Sequence, residues 1–429
     1  MVPMPSPTTP PARLFPLRTV VLGAFVPAFV FDVGVGAAIP VIAPTATNLG
    51  STLAVAGLVA ALLPAGQILA DLPAGALAAR LGDRRAMLVA GVVAALGFAG
   101  AALAPSLATL APAVLAIGAA AAVFNLARHS YLTEITPPLQ RARVLSTLAG
   151  VHRIGQFVGP FAGALVLRTG DVHAVYWLGA AVALAATVTV AVVRDDVTAP
   201  GETGAARPSA RPVATGAQAA PGSPTLRTVL RDHRRLFSTL GVACLLVGAV
   251  RGARQTVIPL WGVHLGLDPA VTSLVVGVAG GVDMLLFYPA GKVMDRMGRL
   301  WIGVPSMLLM GVALVALPLT HSAPSLAVVA MLLGLGNGMG SGVLMTLGSD
   351  ASPAQGRAQF LGLWRVLQDT GAAAGPLVVS AGAALGSLAA GIWAAGLLGP
   401  AAAAALARWA PRWTVHANRT TRRRAGIAL

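Results

Sequence analysis

The chain has 429 residues, of which 56% are apolar and only 10% charged, and its mean hydropathy is +0.79. A soluble domain carries charge on roughly 25% of its residues because its surface faces water, so a water-soluble globule is excluded and an integral membrane protein is expected. The formal net charge of +16 would suggest nucleic acid in a soluble chain. Here the cations sit between apolar segments, where they act as topology signals, and no nucleic-acid partner is expected.

A membrane-spanning helix needs about 20 mostly apolar residues. Taken in chain order, such segments are 19–41, 52–74, 86–104, 107–128, 143–167 and 172–193, then 236–261, 270–291, 300–319, 325–346, 358–382 and 385–408. The expected fold is therefore all-α, with twelve transmembrane helices in two pseudo-symmetric six-helix bundles, 19–193 and 236–408. A tail, 1–18, precedes them and a basic tail, 409–429, follows. The stretch 194–235 contains Ala-Pro-Gly, Arg-Pro-Ser-Ala-Arg-Pro and Gly-Ser-Pro, and reads as a flexible linker. The first apolar segment is long enough to remain as a helix and does not read as a removable signal.

Basic residues fall on one side of this arrangement. Arg13, Arg18, Arg80, Arg84, Arg85, Arg141, Arg143, the linker arginines, Lys292, Arg296, Arg299, Arg357 and Arg422–Arg424 share it, against Arg168 alone on the other. The positive-inside rule then puts both tails and the linker in the cytoplasm, in a bacterial inner membrane.

The two halves repeat each other at an offset of 216 residues. Pro73-Ala74-Gly75 answers to Pro289-Ala290-Gly291, and Gly159-Pro160 to Gly375-Pro376. Gly155 and Gly371, Pro137 and Pro353, Arg141 and Arg357, and Glu134 and Asp350 keep the same offset. A parallel duplication of this kind is how secondary transporters are built around a midplane site.

At this point the residues resemble the major facilitator superfamily. The loop after the eighth segment, Gly291-Lys-Val-Met-Asp295-Arg296-Met-Gly298-Arg299, matches that family's Gly-x-x-x-Asp-Arg-x-Gly-Arg loop without departure. The copy after the second segment, Gly75-Ala-Leu-Ala-Ala79-Arg80-Leu-Gly82-Asp83-Arg84, has Ala79 where the family usually has Asp. The resemblance implies a gating role for these loops. Arg80, Arg84, Arg296 and Arg299 are expected to form a cytoplasmic latch with Glu134, Asp295 and Asp350, which holds the halves together and breaks when they rock apart. Isolated solvated loop charges, worth under ~1 kcal/mol each, are the plainer alternative. Gly155-x-x-x-Gly159-Pro160-x-x-Gly163 in the fifth segment resembles the antiporter motif of drug exporters, although Gly371-x-x-x-Gly375-Pro376 repeats most of it in the eleventh. Such glycines also serve ordinary close packing of helices.

An ionisable side chain inside a span costs ~2.5–3.5 kcal/mol or more unless it meets a partner or water, so each is a site candidate. Asp32 lies in the first segment, and Arg251 and Arg254 in the seventh. Aligning Ile39-Pro40 with Ile258-Pro259 makes Arg251 the counterpart of Asp32. The resemblance has segments 1, 4, 7 and 10 lining the cavity, so Asp32 and Arg251 are expected to face each other there, with Asp32 as proton carrier and Arg251 or Arg254 holding an anionic group. Asp71 and Asp283 are further proton candidates, each with a structural role as the alternative. Arg153, Asn337, Trp364 and Asp369 complete the expected cargo contacts, and Arg365 and Asp369 are spaced for an intrahelical pair. His152 is a weaker relay candidate. Arg128 stands where the family often has a proton-coupling arginine, but it lies late in the fourth segment and lacks the surrounding Gln-Gly pattern.

No Gly-x-x-x-x-Gly-Lys-Ser/Thr loop points to ATP as energy source, and no nucleophile–base spacing points to an enzyme. Cys244 is the only cysteine, which excludes an intrachain disulfide and a cysteine-based metal cluster. No cofactor is expected beyond the proton gradient. The expected function is proton-coupled export of small amphipathic molecules by a monomer working through alternating access in the lipid bilayer. Transport of a small organic anion is the alternative, because interior arginines outnumber interior acids. A receptor that moves no solute is the remoter one.

Overall fold

The structure, a computed structural model, describes residues 20–136, 141–192, 226–353 and 355–426. The tail 1–18, linker residues 194–225, Pro137 and the side chains of Ala79 and Arg141 lie outside the described set. The long helices of the first half are α1 (Val26–Asn48, preceded by a π-turn at Val21–Phe25), α2 (Leu53–Leu81), α3 (Asp83–Ala102), α4 (Leu107–Ile135), α5 (Arg141–Leu167) and α6 (His173–Val192). Those of the second half are α7 (Leu240–His264), α8 (Pro269–Met297), α9 (Leu300–Ala316), α10a (Ala323–Gly340), α10b (Val343–Ala351), α11 (Arg357–Leu385) and α12 (Leu388–Trp413).

Local sequence explains the boundaries. Thr52 caps α2 through its hydroxyl, Ser106 and Thr109 form a capping box on α4, and Asp268 caps α8, each satisfying donors that a helix start leaves unpaired. The chain turns from α2 to α3 at Gly82 and from α8 to α9 at Gly298, both with positive φ (81° and 103°). A side chain would be strained there, so the two loop copies share one turn geometry 216 residues apart.

Several boundaries differ from the expected ones. Helix α4 continues to Ile135, seven residues past the apolar segment, because its polar last turns leave the membrane core without losing helical hydrogen bonds. The tenth segment is two helices, broken at Ser341-Gly342, where Gly342 is left-handed (φ 84°). The end of the linker is ordered as Leu226–Asp232 and Arg234–Phe237, and the basic tail holds a further short helix, Arg419–Arg424. Fourteen helices have seven residues or more among the described residues. Ten stretches are long and apolar enough to cross a membrane. Helices α5 and α11 are not among them, although they are 27 and 29 residues long, because each has a polar middle: His152, Arg153 and Gln156 in one, Arg365, Gln368 and Asp369 in the other.

Packing repeats between halves. Helix α1 lies against α5 and α6 as α7 lies against α11 and α12; α2 lies against α4 as α8 against α10a; α3 meets α4 and α6 as α9 meets α10a and α12. The halves touch along two seams, α5 with α8 and α2 with α11, and where α1 meets α7. The buried interior is largely alanine with scattered Phe, Leu and Val, so backbones approach closely. A Cβ at Gly155 would stand 2.7 Å from Asp32 Cβ, and one at Gly159 2.6 Å from the Val33 oxygen. Gly252 and Gly375 are pressed in the same way against the backbones of α11 and α7. The tail also docks: the Arg299 and Leu300 amides donate to the His416 and Ala417 carbonyls at 3.1 and 2.9 Å, and buried Arg422 donates to the Asp295 carbonyl at 2.6 Å.

Where the obstacle is backbone, an added methyl forces helices apart and costs about 1–3 kcal/mol. Gly159→Ala and Gly252→Ala are expected to lower the melting temperature in detergent by several degrees. Gly280→Ala, with no atom within 4 Å of its added Cβ, is expected to leave it unchanged.

Candidate functional site

Two charged clusters lie between the halves' central helices. The first belongs to the N-terminal half. Asp32 on α1 is only 2% exposed, and Arg128 on α4, 4% exposed, places Nη1 3.4 Å from Asp32 Oδ2. Arg128 Nη2 donates to Asn125 Oδ1 at 2.9 Å, and its guanidinium lies 6.0 Å from the Phe124 ring centroid. His152 on α5 places Nδ1 2.9 Å from the same Asp32 oxygen, but off the line of a hydrogen bond. Gly155, one turn further along α5, lets this helix come close enough to α1 for that contact.

The second cluster belongs mainly to the C-terminal half. Arg254 on α7 stands 3.3 Å from Asp283 Oδ2 on α8, and Asn337 Nδ2 on α10a donates to that oxygen at 2.7 Å. Asp283 Oδ1 is buried without a hydrogen-bond partner. One turn before Arg254, Arg251 donates to the Gly340 carbonyl, the last residue of α10a. A cation suits that helix end, where the macrodipole is negative. Arg153 crosses from α5 and donates to Ser341 Oγ at 2.6 Å, in the break of α10.

Between the clusters lies a cavity of about 280 Å³. His152, Arg153 and Gln156 line it from the first half, and Arg254, Asp283 and Asn337 from the second. Four of the residues read from the sequence, Arg153, Arg254, Asp283 and Asn337, therefore converge on one cavity. Others fall elsewhere. Asp32 does not face Arg251: it is held by Arg128 and His152 within its own half, because Arg128 on α4, the last residue of the fourth apolar segment, lies at the level of Asp32. Trp364 is buried against α10b, its indole donating to the Leu344 carbonyl at 2.9 Å, so it is core and does not line the cavity. Asp369 does not line it either; it meets Arg365 at 3.5 Å, the intrahelical pair expected from their spacing.

The expected cytoplasmic latch is also rearranged. Arg299 does meet Asp350 and Asp295, at 3.1 and 3.2 Å, but all three belong to the C-terminal half and fasten α8, α9 and α10b to one another. Arg84 donates to the Val190 and Ala191 carbonyls at the end of α6. Arg80, Arg296 and Glu134 are exposed. Asp83, the counterpart of Arg299, hydrogen-bonds Ser130 close to Glu134. Among the described residues, the ion pair that crosses between halves is Asp71 on α2 with Arg365 on α11, at 3.8 Å. Gly75 and Gly291 lie within α2 and α8, one turn and more before the turns at Gly82 and Gly298.

The sequence pattern of the Major Facilitator Superfamily matches residues 24–376. The chain belongs to that superfamily, whose members are transporters. Among solved structures, a POT family transporter in complex with 5-aminolevulinic acid superposes with a TM-score of 0.74 at 13% identity, over 93% of this chain and 97% of that one. A D-xylose-proton symporter gives 0.67 at 15%, over 93% and 98%. The human organic anion transporter MFSD10 (TETRAN) gives 0.59 at 17%, over 91% and 99%. No functionally curated protein matches the sequence. At these identities the likeness is one of fold.

Two expectations follow. Removing one partner of a buried pair strands the other charge and costs about 3–5 kcal/mol. Arg128→Met should therefore destabilise strongly, while Asp32→Asn with Arg128→Met should cost clearly less than the sum of the single changes in a double-mutant cycle. Arg365→Gln should broaden the distance distribution between spin labels placed across the α2–α11 seam; Arg299→Gln should leave it unaltered. Equal effects of the two would show that the seam is not held at Arg365.

Proposed function

We propose that the chain is a proton-coupled secondary transporter of an inner membrane, crossing it twelve times with both tails in the cytoplasm and passing a small solute through the central cavity by alternating access. One observation carries the reading: Asp32 is buried away from water, yet its carboxylate is 2.9 Å from His152, which is 34% exposed and lines the cavity. A carboxylate set between a buried guanidinium and a cavity-facing imidazole has a route by which a proton can reach it. Neutralising Asp32 loosens its attraction for Arg128 and so the hold of α1 on α4. The adjacent residue on α5, Arg153, reaches Ser341 in the other half, so a shift of α5 is felt across the cavity.

Export of amphipathic compounds was expected from the Gly-Pro pattern of the fifth segment. That pattern packs α5 on α1 in the same manner as its repeat packs α11 on α7, so it supports close helix contact and is silent on direction. Direction is decided by transport itself.

The test is a counterflow screen in proteoliposomes over a panel of labelled anionic, cationic and neutral small solutes, followed by an imposed pH gradient for whichever solute moves. Gradient-driven accumulation is expected in the wild type. Asp32→Asn should retain counterflow and lose at least tenfold of the accumulation, because exchange needs only rocking while coupling needs a proton site. Full gradient-driven accumulation by Asp32→Asn would remove Asp32 from the proton path. The gradient polarity that drives accumulation separates uptake from export.

A further inference from the structure

We infer that the solute is a small organic anion, and that Asp283 is a resident counter-ion which the solute's oxyanion group displaces from Arg254. The inference rests on the transport reading above and assigns the chemistry of its cargo.

The argument begins with charge. Three guanidinium groups, Arg153, Arg251 and Arg254, act on one carboxylate, Asp283. Asp283 is the one carboxylate that lines the cavity among the described residues. Asp32 is engaged by Arg128 and His152, and Asp369 by Arg365. Arg251 and Arg254 by themselves exceed Asp283 by one formal positive charge, offset by about half a unit by the carbonyl end of α10a that Arg251 caps. An empty cavity in a low-dielectric setting with such an excess attracts anions and repels cations.

Geometry then says where an oxyanion would sit. Arg254 and Asp283 are each 15% exposed and their pair lines the cavity wall. Only one oxygen of the carboxylate is used: Oδ2 takes both Arg254 and Asn337, while Oδ1 is buried with no hydrogen-bond partner, as is Nε of Arg254. A guanidinium prefers two parallel hydrogen bonds to one carboxylate or phosphate. The resident pair at 3.3 Å falls short of that arrangement, so an incoming oxyanion free to align can form the better contact. Asn337 remains on Asp283 Oδ2, which gives the displaced side chain a partner. Arg153 approaches from the opposite half, so one bound anion is held by both halves and favours their approach.

The sign of one substitution decides the matter. If Asp283 competes with the cargo, Asp283→Asn removes a rival negative charge and should tighten anion binding about tenfold. If Asp283 instead anchors a cationic cargo, the same change should weaken binding. Calorimetry and thermal shift on the purified full-length protein would use succinate, inorganic phosphate, butyrate and tetraphenylphosphonium as probes. The expected result is that succinate or phosphate binds the wild type better than tetraphenylphosphonium, that Asp283→Asn tightens it, and that Arg254→Gln weakens it at least tenfold. Which of the two anions binds better separates carboxylate from phosphate cargo. Preference of the wild type for tetraphenylphosphonium, no binding of any anion, or weaker anion binding by a folded Asp283→Asn would overturn the inference. Because the wild-type panel alone contains overturning outcomes, a variant that fails to fold does not protect it. Gradient-driven movement of a cation would sink this inference and leave proton coupling standing; anion binding with no effect of a pH gradient would do the reverse.

Discussion

Close backbone contact between α1 and α5, and between α7 and α11, is the constraint on which the rest of the molecule depends. Residues without side chains at 155, 159, 252 and 375 let each helix pair meet main chain to main chain. That contact brings His152 to Asp32, since the helix carrying the imidazole can reach the carboxylate only where Gly155 leaves room. It also fixes the level at which Arg251 and Arg254 of α7 meet α8 and the break in α10. A bulkier interface would leave the same side chains in the sequence and several ångströms of lipid-like packing between them.

The charges within the spans then sort by what surrounds them. Asp32 and Arg128 are almost wholly out of water and form a matched pair, the arrangement that makes a buried ion tolerable. Arg251 and Arg254 outnumber Asp283; Arg254 lines the cavity, while Arg251 is held on the Gly340 carbonyl, an oxygen that satisfies a hydrogen bond without cancelling charge. One cluster is thus near neutral in formal charge and the other positive, and α5 supplies a neighbouring residue to each, His152 and Arg153. Placing both on one helix ties the two clusters together through a single element.

The fold was legible in the sequence because membrane helices announce themselves by length and apolarity and because the 216-residue offset exposes the duplication. The two helices that fall outside the apolarity criterion, α5 and α11, were still recognisable through their Gly-Pro repeats. Residue types of the cavity were legible too, since an interior Arg153, Arg254 or Asp283 is conspicuous against alanine and leucine. Partners were not. Pseudo-symmetry pairs Asp32 with Arg251 on paper, whereas the structure follows helix rotation and level: Arg128, at the end of its apolar run, stands beside Asp32. Asp71 with Arg365 was equally hidden, because nothing in either local sequence tells which face of α2 meets which face of α11. Trp364 misled in the opposite sense, being a polar-tipped aromatic whose indole is satisfied inside the core.

The two turns that share a backbone shape at Gly82 and Gly298 are fastened by different physics. In the second half Arg299 is clamped by Asp350 and Asp295; at the matching place in the first half stands Asp83, held by the Ser130 hydroxyl and by its position at the start of α3, where a negative charge suits the helix dipole. Copying has thus preserved the bend of the chain and reversed the charge it carries, so that a guanidinium at one turn answers to a carboxylate at the other.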